Sequence, residues 1–273
     1  MTHAKKMGAT SRLYTVIVFI FLYLPIAVLI FFSFNASKSR SLFTGFSLKW
    51  YVQLFNNRVV LSALVVTLII AAVSSVLATI LGTAAAVGMS DMKRWGRTTI
   101  MNVTYVPVVN PEIVTGVSMM MLFVVLRGAL TSFSMGLGTL IIAHITFNVP
   151  YVIFSVSPKL RQMDKSLYEA ALDLGCNRIQ AFYKIVIPEI MPGIMTGFLM
   201  ALTYSIDDFV ISYYTSGNVQ TLPIVIFGMT RRNVSPEINA LSTLLFVTVL
   251  SILLLMNIRD IRGDKKLGLE KRL

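Results

Sequence analysis

The feature that most constrains this chain is the recurrence of apolar stretches about 20 residues long, the length at which a helix spans the hydrocarbon of a bilayer. Six are visible, at roughly 14–34, 59–89, 100–126, 137–157, 191–213 and 238–258. In lipid, a backbone polar group must find its partner within the protein, and continuous apolar runs of this length specify helices. They leave no room for a separate soluble domain. The expected class is therefore an all-α membrane protein with six transmembrane helices. Composition agrees, with 56% hydrophobic and 13% charged residues and a mean hydropathy of +0.76, where soluble domains carry about a quarter charged residues.

A net charge of +12 would suit a nucleic-acid binder, but the cations are dispersed over connecting segments, so no nucleic-acid partner is expected. Their distribution sets orientation instead. Of 24 Lys and Arg, 17 lie in the N-terminal segment, the 90–98 and 158–190 loops and the tail after Ile258, and 7 lie in the alternate connections. Cationic loops remain in the cytoplasm, which places both termini inside in a multi-pass membrane chain. The first apolar run begins behind Lys5, Lys6 and Arg12 like a signal peptide. It is too long for one and lacks a small-residue cleavage site, so it reads as an anchor helix. Cys176 is the only cysteine, which excludes a disulfide framework or a thiolate metal cluster.

The division expected is an anchor helix with an outer interfacial segment over 1–58, then a transmembrane core over 59–273 that includes a cytoplasmic loop at 158–190. Segment 35–58 is amphipathic, and Trp50 reads as an interfacial anchor or, alternatively, a ring facing a solute. The second run carries Gly82 and Gly88 and is longer than one span needs, suggesting tilt or extension. The third contains Pro107 and Pro111 with Glu112 next, which reads as a broken helix bearing a carboxylate on a cavity wall. Gly193 and Gly197 have the spacing of close helix packing.

Residues 166–188, SLYEAALDLGCNRIQAFYKIVIP, are the polar exception between two apolar runs. Ser166 and Glu169 have capping-box spacing. Leu167, Ala170, Ala171 and Leu174 share one helical face, Gly175 suits a left-handed helix end, and Pro188 opposes continuation of a second short helix. Bulky anchors are absent at Ala170 and Ala171, as suits a helix seated in a protein groove. The chain has no G-x-x-x-x-G-K-[ST] phosphate loop and no H-E-x-x-H zinc motif, so neither nucleotide hydrolysis nor metalloprotease chemistry is expected of it. No inverted repeat of the kind found in ion-coupled transporters is evident.

Four of the 12 acids fall in or near the apolar runs: Glu112, Asp207, Asp208 and Glu237. A carboxylate at bilayer depth costs roughly 2.5–3.5 kcal/mol on insertion scales, so such residues are commonly functional or paired. Central portions of the runs carry no Lys or Arg, which favours acids that attract a transported cation over a salt-bridged pair. Asp207 and Asp208, as helix neighbours, diverge by about 100°; one faces a pathway while the other is held by a partner. Tyr204, Tyr213 and Tyr214 add ring faces and hydroxyls for an ammonium group. Ser235-Pro236-Glu237 reads as a helix start, and His144 as a packed, hydrogen-bonded histidine.

Glu169, Ala170, Ala171, Gly175 and Pro188 resemble the EAA loop of ABC-importer permeases. The resemblance extends over nearly the whole chain through Leu24-Pro25, Phe34-Asn35, Trp50-Tyr51, Pro111-Glu112 with Gly116, and the stretches LTYSIDDFVISYYTSG and TLPIVIFGMTRRNVSPEINALSTLL. Together these resemble the PotC-type permeases of spermidine/putrescine importers, with departures at Tyr213-Tyr214 and at 217–220. The resemblance implies a type I ABC importer permease fold (MetI-like) and no catalysis by this chain. It further implies coupling through the EAA residues to two PotA-like ATP-binding subunits that hold ATP and Mg. A PotB-like second permease and a PotD-like binding protein would complete the assembly. The substrate pathway implied for polyamine comprises Asp207, Asp208, Glu112, Trp50 and Tyr204. A related importer for another solute is the competing reading.

Overall fold

The computed structural model describes residues 9–37, 42–129, 134–232, 236–248, 250, 251 and 254. They are almost wholly helical; among them the one extended pairing is an isolated antiparallel bridge between Asn35 and Phe46. Five helical stretches are long and apolar enough to cross a membrane: Arg12–Ser33, Arg58–Ser90, Glu112–Ala129, Leu137–Gln162 and Arg178–Asp207. The sixth run begins as a shorter apolar helix, Glu237–Thr248. The end of that run, the charged termini and Ser235 lie outside the described residues.

The chain forms two compact units, residues 62–225 and residues 1–61 with 226–273. In the second of these, α1 (Ala9–Ser33) has an apolar window with none of its residues buried, the exposure a lipid-facing helix requires. A loop follows, then α2 (Lys49–Asn56).

The 62–225 unit contains most of α3 (Arg58–Ser90), then α4 (Arg94–Val109), α5 (Glu112–Ala129) and α6 (Leu137–Gln162). After these come α7 (Lys165–Asp173) and the single turn α8 (Arg178–Ala181), then a π-helical turn Phe182–Val186 leading into α9 (Ile187–Asp207). Short α10 (Val210–Thr215) and the start of α11 (Leu222–Arg232) complete it.

Helix α6 is the packing centre of this unit, and small residues let its neighbours approach it. A Cβ at Gly193 of α9 would stand 2.8 Å from Lys159 Cγ and 2.9 Å from the Ser155 carbonyl oxygen. One at Gly197 would stand 3.1 Å from Val152 Cα, and one at Gly82 of α3 only 2.6 Å from Val152 Cβ. Small residues at a membrane helix interface allow this close backbone contact. Gly82 therefore serves close packing. The resulting core joins Ala86, Val152, Val156, Val186, Ile190 and Ala201.

Two proline sites depart from simple spans. The third run is two helices, α4 and α5, separated at Asn110, whose ψ of 142° is extended. Proline disfavours the helical region for the residue before it, and Pro111 acts this way. Pro107, by contrast, stays inside α4. At Pro188 the expected stop does not occur. The chain stays helical from Arg178 to Asp207, because the preceding turn loosens to π geometry. There the Ile187 N–H reaches back to the Phe182 carbonyl, relaxing the turn whose carbonyls a proline ring would crowd.

Candidate functional site

Helix α9 ends at Asp207, and Asp208 turns extended with φ −62° and ψ 117°. The run expected to continue to residue 213 therefore breaks at the two acids, and helix divergence no longer describes them. Their surroundings separate them. The Asp208 side chain is 6% exposed and lies 3.5 Å from His144 Nε2. Its two oxygens accept the backbone N–H groups of Ile211 at 3.2 Å and Ser212 at 2.7 Å. It thus closes the start of α10, where unsatisfied donors favour an anion. His144, on α6, also meets the Ser212 hydroxyl at 3.0 Å, so it is packed and hydrogen-bonded as its sequence setting suggested.

Asp207 is exposed and has no cationic partner among the described residues. It lines a cavity of about 250 Å³ with Glu112, Thr115, Tyr151, Tyr204 and Asp208. Each element contributes for a local reason. Pro111 breaks the third run and presents Glu112 in the first turn of α5, where an acid is favoured by the helix dipole. Tyr204 comes from the last turn of α9, and its ring lies 4.6 Å from that of Tyr151 on α6. Gly116, one turn beyond Glu112, is buried against Tyr214 and the backbone of α10, which seats α5 beside the break. The cavity therefore offers two carboxylates, Glu112 and Asp207, without cationic neighbours among the described residues and two phenol rings, a chemistry suited to ammonium groups.

Trp50 occupies a different setting. Its ring is 1% exposed, and its indole Nε1 donates to the Asn35 carbonyl at 2.6 Å. Buried Asn35 organises the loop around it, accepting the Thr44 N–H at 3.0 Å and donating to the Leu42 carbonyl at 2.8 Å. The expected interfacial or solute-facing ring is corrected to a packing residue, since an indole whose N–H is satisfied gains by full burial. Tyr213 is exposed and stacks edge-on with Tyr214; neither lines the acidic cavity. Glu237 is buried at the start of the Glu237–Thr248 helix.

Tyr151 and a buried polar trio were not anticipated. Asn148 donates to the Ser205 hydroxyl at 2.8 Å, and Ser205 meets Ser74 at 3.0 Å, tying α6, α9 and α3 together one turn below the acids. A signal was present: His144, Asn148, Tyr151 and Ser155 recur at helical spacing on one face of an apolar run.

The loop at 158–190 forms a hairpin of short helices. Asp164, not Ser166, caps α7, accepting the Ser166 N–H at 3.0 Å, so the expected Ser166–Glu169 box is not formed. That donor, with the Ser166 hydroxyl, holds the Asp164 carboxyl below its usual range. A reciprocal box forms instead at Asn177 and Gln180, at 2.8 and 3.1 Å. Gly175 has φ +88° and ends α7, with its N–H on the Leu172 carbonyl and that of Cys176 on Ala171, a Schellman closure. Inward, Ala171 is buried, and Tyr168 and Phe182 pack on the α3–α6–α9 core. Outward, Glu169 and Ala170 are exposed, as are Leu174 at 87% and Ile179 at 70%. Pro188 sits in the first turn of α9.

Residues 78–261 match the family described as binding-protein-dependent transport system inner membrane component. The chain is 41% identical to the putrescine transport system permease protein PotI of Escherichia coli strain K12, covering 79% of this chain and 78% of that protein. It is 34% identical to the spermidine/putrescine transport system permease protein PotC of Haemophilus influenzae, covering 77% and 80%. In structure it resembles a chain of a bacterial ABC transporter that imports the acidic polysaccharide alginate. That likeness has a TM-score of 0.71 and 18% identity, covering 92% and 93% of the two chains.

Proposed function

The chain belongs to the binding-protein-dependent transport system inner membrane components, and from that premise we propose that its cargo is a polyamine. It is a permease subunit of an importer. The observation that carries the cargo assignment is the cavity in which Glu112 and Asp207 stand without cationic partners among the described residues, beside Tyr151 and Tyr204. A polyamine is a flexible polycation. Carboxylates accept its ammonium donors, phenol faces attract the same charge, and methylene segments lie against ring surface. Relatives named for putrescine and for spermidine/putrescine transport support the same cargo.

In this reading the chain crosses the plasma membrane six times with both termini in the cytoplasm. It lines half of a pathway whose other half comes from a PotB-like permease, and a PotD-like protein delivers cargo from outside. ATP and Mg are held by two PotA-like subunits. Their closure is received by the exposed surface of the 158–190 hairpin around Glu169, Ala170 and Gly175. It passes through Tyr168, Ala171 and Phe182 toward the packed α3–α6–α9 core, with Pro188 at the join. Asp208 acts by holding the break that presents Asp207. Affinity at the cavity is modest, because a site that binds too tightly does not release inward.

The test is uptake of labelled putrescine and spermidine by the reconstituted importer carrying Asp207→Asn or Glu112→Gln. Each substitution is expected to lower uptake at least about tenfold, the effect of losing one charge-assisted contact worth about 1.4 kcal/mol. Assembly with the ATPase should stay intact. Unchanged uptake in both variants removes the acidic cavity from the pathway. Saturable uptake of some other solute in place of polyamines would move the assignment to a sister importer.

A further inference from the structure

Away from the acidic cavity, two more cavities of about 250 and 550 Å³ adjoin one another, and both are lined by Arg97, Met101 and Arg161. Arg94 lines the larger one. Arg94 and Arg97 stand in the first turn of α4, and Arg161 in the last turn of α6, so the fold gathers these cations from two separate elements. None of the three has a carboxylate within ion-pair distance among the described residues. Asp91, three residues before Arg94, meets Ser90 at 3.4 Å, and Asp164, three residues after Arg161, accepts the Ser166 N–H at 3.0 Å; neither lines these cavities.

The carbonyl end of α6 accounts for one cation at Arg161. Orientation of the chain accounts for arginines somewhere in these loops. Neither explains three guanidinium groups lining the larger cavity with no carboxylate in its lining among the described residues. The apolar part of the smaller cavity's lining is Ala86, Met89, Met101 and Leu160, and the adjacent Trp95 is 82% exposed, as suits a ring at the headgroup level of a bilayer. Guanidinium forks bind phosphate oxygens bidentately, and basic pockets between membrane helices on the cytoplasmic side suit anionic headgroups. A polycation would be repelled here, so the cluster is not part of the cargo's path.

We propose that Arg94, Arg97 and Arg161 form a binding site for a phosphate-bearing anion, with the smaller cavity taking apolar substituents beside it. The chemistry is shared by an anionic phospholipid headgroup and by free phosphate.

The experiment is native mass spectrometry and thermal denaturation of the delipidated full-length chain in detergent. The probes are phosphatidylglycerol, phosphatidylcholine and inorganic phosphate, each added alone. The proteins are the natural sequence, Arg94→Gln/Arg97→Gln/Arg161→Gln, the matching triple Lys variant, and Arg58→Gln as a charge control. The natural chain is expected to retain phosphatidylglycerol over phosphatidylcholine by about tenfold, the Gln triple to lose that preference, and the Lys triple and Arg58→Gln to keep most of it. Stabilisation by inorganic phosphate without lipid preference, lost in the Gln triple, supports the site with free phosphate as its source. Equal retention of both lipids with no effect of phosphate overturns the proposal. So does undiminished binding by the Gln triple, or equal loss in Arg58→Gln.

Discussion

Asp207 and Asp208 are chemically the same residue, adjacent in sequence, yet they do different work because the helix ends between them. Asp208 closes α10 and meets His144, while Asp207 faces the cavity without a cation. Asp208→Ala is expected to destabilise the chain by about 1–2 kcal/mol, as loss of a helix cap does. Asp207→Ala should stay within about 0.5 kcal/mol, as at an exposed site without partners. Thermal denaturation in detergent compares them, and equal shifts would refute the division of roles. Asp164 carries a separate acid sensitivity. Its folded pKa lies below the unfolded one, so its contribution is present above about pH 4 and is lost as pH falls through the folded value. Protection of the Ser166 amide from hydrogen exchange should fall with acid in the natural chain and not in Asp164→Asn, which caps without titrating. At this scale Glu112, Tyr204, Asp207 and Asp208, singled out in the sequence, line one cavity. Sequence reading misplaced Trp50, because an exposed aromatic and a buried one carry the same letters until the Asn35 carbonyl is seen to receive the indole N–H.

Among the elements, the hairpin at 158–190 carries two surfaces on one small scaffold. Tyr168, Ala171 and Phe182 face the core, and Leu174 and Ile179 face outward. Gly175 sets the angle between the two helices through its φ of +88°, a conformation that costs an L-residue roughly 1–2 kcal/mol. Gly175→Asp is expected to abolish uptake and weaken co-purification of the ATPase, with Gly175→Ala intermediate; full activity in both would count against a coupling role. The turn was legible because glycine at a helix end has few other uses. The cap was not, because Asp164 and Ser166 are both good caps and only the start of α7 chose between them. Pro188 was misread for a related reason. A proline forbids a regular α-turn, but spacing alone does not reveal that a π turn can absorb it.

For the molecule as a whole, the proposed importer moves its cargo only when a partner subunit hydrolyses ATP. Proteoliposomes containing this chain alone are expected to show no uptake above leak, and those with the complete importer to show uptake that requires hydrolysable ATP. Uptake by the isolated chain would end the account. Helical class and membrane residence were set by the sequence itself, because the cost of an unsatisfied backbone in lipid leaves long apolar runs one local solution. So were the presence of acids in those runs and the family likeness of the 166–188 loop. Tertiary structure decided where the runs break, which acid is held and which is free, and that Glu112, Tyr151, Tyr204 and Asp207 share one cavity. It also decided that Gly82, Gly193 and Gly197 serve close contact with α6. Those outcomes depend on which backbones approach one another, and local spacing holds no record of the neighbour.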